Sequence, residues 1–404
     1  MIKVLKSVVV GPLEPYAAGF ATELERQGYT AGTAEKQVAL AAHLSRWLAA
    51  AGTGPGDLTV RTAERYASAR RAAGYAGYKS AHALEPLLGY LRGLGVVPAA
   101  EPQPVTPAQA LLERFQRYLV SERGIGSATA ESYVCFVRPF IAARLGPGGP
   151  GLEGLSAADV TAFVVASCPG MPKGSAKMTV TSLRSLLGWL HVDGVLSQSL
   201  AWAVPSVAAW RLARLPQPLD PAQVQAMLDS CDRTAGNGRR DLAMLTLLAR
   251  LGLRAGEVAA LRLEDIDWRA GEITVQGKGN RSERLPLPAD VGEPIAAYLR
   301  DGRPASAGGA RQVFLRVKAP HCGLTGGGVT QAVAAAAKRA GLGTVHAHRL
   351  RHSAATGMLR AGAGLPEIGQ VLRHRRLMST AIYAKTDVPA LRTLARPWPA
   401  GGAS

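Results

Sequence analysis

Six side chains of four chemical types stand in a fixed order in the C-terminal half of this 404-residue chain. Arg254 lies in Gly252-Leu253-Arg254-Ala255-Gly256-Glu257, and Lys278 in the Gly-rich stretch Gln276-Gly277-Lys278-Gly279-Asn280. His348 and Arg351 share His348-Arg349-Leu350-Arg351-His352, and His374 precedes Tyr383 by nine residues. A phosphodiester is a hindered anion with a poor leaving group. Cleaving it without metal requires fixed positive charge against the phosphoryl oxygens. Arginine suits that task because its planar fork bonds an oxyanion twice and stays charged. A tyrosine hydroxyl can then attack phosphorus and conserve the bond energy in a covalent phosphotyrosine, so rejoining needs no ATP.

Each residue also has an ordinary reading. A lone arginine is usually solvated, a lysine in a Gly-rich turn is usually surface, and a helical tyrosine is usually half-buried packing. The order of the set shifts the weight. His348 and Arg351 are three apart, so on a helix both can reach one phosphate. His348 can exchange a proton near neutral pH. Four of the eight histidines, His346, His348, His352 and His374, fall between 346 and 374. Of these, His346 and His352 are read as satisfied core histidines. Lys278, at the tip of a turn, can swing toward a leaving 5′-hydroxyl, and Arg281 and Arg284 nearby read as phosphate contacts. His374 can hold the phosphate or the leaving oxygen.

The elements that must position these groups are mostly helical. Asp241 to Leu251 is apolar nearly all round, which predicts a buried helix ended by Gly252. Glu272 to Val275 and Glu283 to Leu287 read as two strands joined through the Lys278 turn. Upstream, two stretches resemble each other. Gly28 to Glu35 answers Gly124 to Glu131, Leu58 answers Leu155, and Leu88-Gly89-Tyr90-Leu91 answers Leu187-Gly188-Trp189-Leu190, at offsets of 96 to 99 residues. Duplication of a small helical domain accounts for them, with Thr33 and Thr129 as candidate N-caps. Pro-rich breaks at Pro98–Pro107 and Arg211–Pro221 separate the segments. The fold class expected is mainly α with a small antiparallel β-sheet. The division expected is 1–98, an N-terminal helical domain; 108–206, a second helical domain; and 218–404, a mixed α/β catalytic domain.

Composition is consistent with a nucleic-acid partner. Lys and Arg number 47 against 29 Asp and Glu, a formal charge of +18, which favours a polyanion. No apolar run reaches the roughly 18 residues that span a bilayer, and no signal-peptide pattern opens the chain, so no membrane partner and a cytoplasmic location are expected. Cys135, Cys168, Cys231 and Cys322 have no paired spacing, which reads as reduced, partly buried thiols. His321-Cys322 has the residue types of half a metal site without a second pair nearby. No metal and no cofactor are expected.

Segments 252–257, 348–352 and 372–384 resemble the boxes of the tyrosine recombinase (phage integrase) family, which run Arg, Lys, His-x-x-Arg, His or Trp, Tyr. The resemblance covers about 219–390. It implies that Arg254, Lys278, His348, Arg351, His374 and Tyr383 form the catalytic set of a site-specific DNA recombinase working through a 3′-phosphotyrosyl intermediate. Integration or excision of a mobile element is the implied use. It further implies that 108–206 is a core-binding domain, that double-stranded DNA is the substrate, and that four protomers assemble on it. A partner recombinase or accessory protein can be involved, and the tail Val388 to Pro399 can dock on a neighbour. Arg349 departs from the pattern, where an acidic residue is frequent, and residues 16–98 lie outside the minimal two-domain plan. Two other readings stay open on the residues: a sequence-tolerant activity like that of type IB topoisomerases, and a non-catalytic DNA-binding protein.

Overall fold

Leucine, alanine and aromatic residues at three- and four-residue spacing build most of the chain as helices, and the strand-forming residues gather in one small sheet. The computed structural model describes residues 8–98, 106–207, 217–277, 281–307, 309–374 and 377–384. Most of the first Pro-rich break, Arg211 to Pro216 of the second, Lys278 and the tail from Val388 to Pro399 lie outside the described residues.

The first segment carries α1 (Ala17–Arg26), α2 (Ala31–Ala50), α3 (Val60–Ala72) and α4 (Glu85–Gly93). Phe20, Leu24, Val38, Leu44, Leu48, Tyr66, Leu88 and Leu91 form its core. The next segment repeats the four-helix order in α5 (Pro107–Ser121), α6 (Ser127–Leu145), α7 (Ala157–Ser167) and α8 (Lys173–Val192). Phe115, Phe140, Leu187 and Leu190 are central there. The matched tetrapeptides do matching jobs. Leu88 and Leu91 are buried, as are Leu187 and Leu190. Tyr90 meets Phe20 at 5.8 Å between ring centroids, and Trp189 meets Phe115 at 5.4 Å. Thr33 and Thr129 are not the caps: both lie inside their helices, which start earlier, with Thr30 and Gly126 at the N-cap positions. The backbone there turns helical as soon as the preceding glycine turn ends.

The C-terminal segment opens with α9 (Pro221–Asp229), α10 (Gly236–Arg250) and α11 (Ala255–Ala260). A three-stranded antiparallel sheet follows, β1 (Ile266–Asp267), β2 (Glu272–Gly277) and β3 (Arg281–Pro286), in the order β1-β2-β3. The chain continues as α12 (Ala289–Asp301), α13 (Gly326–Arg339), α14 (Ala347–Arg360), α15 (Leu365–Val371) and α16 (Leu377–Ala384). The fold class is mainly α with this small sheet. Gly277 pairs with Arg281, so the two ladder ends bracket residue 278. Helix α10 is buried along most of its length and packs on α12, α13 and α14. Asp241 and Arg240, both buried, satisfy each other at 2.6 Å, which keeps this central helix free of uncompensated charge.

By contacts, residues 1–100 and 214–404 form one compact unit and 101–213 a second. Within the first, the turn after α1 meets the loop before α13: His321 N–H donates to the Gln27 carbonyl at 3.3 Å. His321 Nδ1 also lies 2.7 Å from the Ser306 hydroxyl. No helix among the described residues is long and apolar enough to cross a membrane. Cys135 and Cys322 are exposed, Cys168 is half-buried and only Cys231 is fully buried.

Candidate active site

Gly252 ends α10 in the left-handed region, φ 60°, where glycine alone is unstrained. A Cβ there would sit 2.6 Å from Leu372 Cδ2, so the position needs glycine for space as well. The chain then starts α11 with Arg254 at the N-cap position. Glu257, in the first turn, accepts from the Arg254 backbone N–H at 2.8 Å and from Arg254 Nη1 at 2.5 Å. This reciprocal cap aims Arg254, whose side chain stays 40% exposed, while the carboxylate is buried. Burial acts to raise the Glu257 carboxyl pKa. The Arg254 backbone N–H, the Arg373 charge and the Arg254 guanidinium outweigh it and hold the pKa below the usual value.

Helix α14 supplies the next group. Arg351 is 1% exposed, and its two terminal nitrogens donate to the carbonyls of Gly252 and Leu372. It thereby ties the end of α10 to the end of α15. Burial, then Arg254 and Arg373, lower its pKa to about 10, so it remains a cation at neutral pH. His348 is exposed. His352, one turn on, brings its ring 4.2 Å from that of His348 and its Nδ1 3.1 Å from Tyr383 Oη. Arg349 donates Nε–H to the Gln217 carbonyl at 2.9 Å, and the Ser353 hydroxyl accepts from Leu219 N–H at 2.7 Å. Both bonds fasten α14 to the start of the segment, so the unusual Arg349 makes a structural contact.

The last group rides on a turn and a short helix. His374 Nδ1 lies 2.8 Å from the Thr380 hydroxyl, and its ring stacks 6.2 Å from that of Tyr383. Tyr383 is 2% exposed and packs with Ala355, Ile368 and Leu372 in a cluster of its own. Arg373, before His374, holds φ 54°, a strained conformation for a residue with a Cβ, costing roughly 1–2 kcal/mol. Its Nη2 donates to Glu257 at 2.6 Å.

His348, His352 and His374 are all shifted towards the neutral form. Burial, then His348 and Arg351, push the His352 pKa down to about 4. Burial, then Arg351, Arg254 and Arg373, do the same to His374. His348 is lowered by the buried part of its ring and by Arg351 and Arg254. Burial raises the Tyr383 hydroxyl pKa, against the pull of Arg351 and Arg254. A neutral His352 with its proton on Nε2 accepts the Tyr383 hydroxyl proton at Nδ1.

The phage integrase family profile matches residues 217–388 of this chain. "Putative integrase/recombinase y4rA" of Sinorhizobium fredii is 43% identical over 96% of this chain and 95% of its own length. Tyrosine recombinase XerC of Salmonella typhi is 31% identical over 70% of the chain and 93% of its own length. This chain belongs to the phage integrase family of tyrosine recombinases. Its fold is also that of a XerH site-specific recombinase bound to palindromic difH substrate, with TM-score 0.57 and 18% identity, covering 74% of this chain and 99% of that one. A lambda integrase tetramer bound to a Holliday junction aligns with TM-score 0.51 and 16% identity over 78% of this chain and 88% of that one.

The recombinase thus brings together five of the six residues expected from sequence: Arg254, His348, Arg351, His374 and Tyr383. Lys278 lies outside the described residues. Arg284, on β3, is exposed and 3.6 Å from Glu272. Two expectations for histidines change. His352 is no core histidine but a partner of the Tyr383 hydroxyl, because α14 turns it to the face that α16 covers. His346 is exposed, at the N-cap position of α14. Sequence reading also passed over Glu257, although it closed the quoted box, and over Arg373 and Thr380. For His352 the signal was present: it follows Arg351 directly and stands four residues after His348, one helical turn away.

Proposed function

The chain is a site-specific DNA recombinase, and we propose that Tyr383 is its nucleophile. The observation that carries this is the 3.1 Å contact between Tyr383 Oη and His352 Nδ1, on the helix that also bears His348 and Arg351. In the proposed step Tyr383 Oη bonds to phosphorus and its proton passes to His352 Nδ1. The bond to the 5′-oxygen breaks, leaving a 3′-phosphotyrosyl end. Arg254, Arg351 and His348 hold the non-bridging oxygens where charge builds, and His374 bonds an oxygen of the same phosphate. Lys278 gives its proton to the leaving 5′-oxygen, which departs as a 5′-hydroxyl. Attack by a 5′-hydroxyl of a second strand reverses every transfer and rejoins the DNA. Tyr383 and Arg351 are both buried, so DNA entry opens the small cluster around Tyr383.

The rest of the reading follows the family. Residues 108–206 act as the core-binding domain and 218–404 as the catalytic domain. Four copies assemble on paired sites, with an accessory protein where one is needed. Residues 1–98, the duplicate helical domain, lie outside the minimal plan. The reaction serves integration or excision of a mobile element in the cytoplasm. The reading is tested by incubating the protein without metal or ATP with plasmids carrying the DNA that flanks its gene. Recombinant junctions at one short sequence support it. Relaxation of any supercoiled plasmid, with no junctions, favours a topoisomerase-like activity instead.

A further inference from the structure

Arg373 is the most unusual side chain of the site. It occupies a left-handed backbone position at φ 54°, where glycine would sit without strain. Its side chain is 2% exposed. Nη1 donates to the Val371 carbonyl at 3.1 Å and Nη2 to Glu257 Oε2 at 2.6 Å. Nε is buried with no hydrogen-bond partner among the described residues. A strained, buried and incompletely satisfied cation persists where its charge has a use.

That use is legible in how Glu257 is shared. Its Oε1 takes Arg254 Nη1, and its Oε2 takes both the Arg254 backbone N–H and Arg373 Nη2. With Arg254 as its only guanidinium, one buried carboxylate would neutralise the cation that faces the phosphate. With two, each guanidinium is only partly compensated. Arg373 also sits next to His374, so the same ion pair fixes that turn against α11.

We propose that Arg373 is a positioning residue for strand cleavage: it shares the Glu257 carboxylate with Arg254, leaving Arg254 a surplus of positive charge for the phosphate. The proposal rests on the catalytic reading above. It is tested in a way that separates the two. Inorganic phosphate is titrated against the full-length protein, following the imidazole resonances of His348 and His374. This readout needs no DNA site and no cleavage. Single-turnover cleavage of a nicked duplex carrying the gene's flanks is measured in parallel.

Arg373→Gly relieves the backbone strain. A purely structural Arg373 would therefore leave phosphate affinity unchanged, even where a loosened His374 turn slows cleavage. The proposal predicts a loss of about tenfold in both, the size expected for one charge in a shielded site, with duplex binding little changed. Arg373→Lys restores part of it. In a Glu257→Gln background the effect of Arg373→Gly shrinks to less than about twofold, as coupling through Glu257 requires. Wild-type behaviour of a folded Arg373→Gly protein, or an equal loss in both backgrounds, overturns the proposal. If the glycine variant fails to fold, Arg373→Lys in the two backgrounds decides by the same non-additivity. Absence of cleavage by the wild-type protein, with phosphate affinity still dependent on Arg373, strikes the catalytic reading and leaves only the sharing of Glu257 between Arg254 and Arg373 standing.

Discussion

The described residues of the C-terminal segment form two hydrophobic clusters of very different size. Arg254 and the N-terminal half of α14 grow out of a large core in which Leu245, Leu248, Leu253, Val258, Ile273, Phe314, Val333 and Leu350 are all buried. Among the described residues, Tyr383 belongs to a satellite with Ala355, Ile368 and Leu372. The difference assigns rigidity unevenly. Groups that stabilise a developing charge gain from a fixed position. In the proposed reaction Tyr383, 2% exposed, must move before it meets DNA, and a small cluster opens at lower free-energy cost than a large one. Arg351 joins the two: it stands on the α14 turn where they meet and holds a carbonyl from each side, Gly252 and Leu372.

Breaking the nucleophile side should have the largest effect. Tyr383→Phe keeps the ring that fills the small cluster and removes the oxygen proposed to attack phosphorus. Covalent DNA adducts should fall below detection on denaturing gels, while duplex binding in gel shifts stays near wild type. Arg351→Ala removes the link itself. Cleavage should fall about 100- to 1,000-fold, and stability by about 1–3 kcal/mol, because two buried carbonyls lose their donor. Chemical denaturation and single-turnover kinetics on one preparation check both.

A matched pair of truncations sharpens the contrast. Leu248→Ala in the large core should cost about 2–5 kcal/mol of global stability. Ile368→Ala should shift the global unfolding transition less, yet speed hydrogen exchange of the α15 and α16 amides selectively. Equal exchange in α14 and α16 would argue that the two clusters are one cooperative unit.

The smallest effect expected is on pH. His352 and His374 have pKa values near 4 in the fold against 6.5 ordinarily. The folded state therefore binds fewer protons than the unfolded state between those values. Their stabilising contribution is complete above about pH 6.5 and is lost as pH falls toward 4. The thermal midpoint should fall over that window, and His352→Asn should flatten the fall. A midpoint that rises on acidification would contradict the neutral, half-buried state of these rings.

Much of this site was visible in the residues alone, for a physical reason. Helical spacing of three and four is enough to put His348, Arg351 and His352 on neighbouring faces of one helix, and strand alternation enough to bracket residue 278 in a hairpin. Gly252 and Glu257 also stood in the open, inside one six-residue box. What escaped depends on packing between elements far apart in the chain. His352 becomes a partner of Tyr383 only because α16 returns across α14. Arg373 meets Glu257 across 116 residues, and nothing in its local sequence announces a buried arginine in a glycine-like conformation. The N-cap of α2 was misjudged by three residues, since Thr30 and Thr33 offer the same hydroxyl and only backbone geometry tells them apart.

The central claim is that the Tyr383 hydroxyl, held by His352, becomes the covalent link to DNA. It is tested most directly by trapping the protein on a nicked duplex that carries the flanks of its own gene, digesting the adduct, and locating the attached nucleotide by peptide mass spectrometry. The account predicts a 3′-linked nucleotide on Tyr383 and no adduct from Tyr383→Phe. A nucleotide on any other residue, or an adduct that survives the substitution, would contradict it.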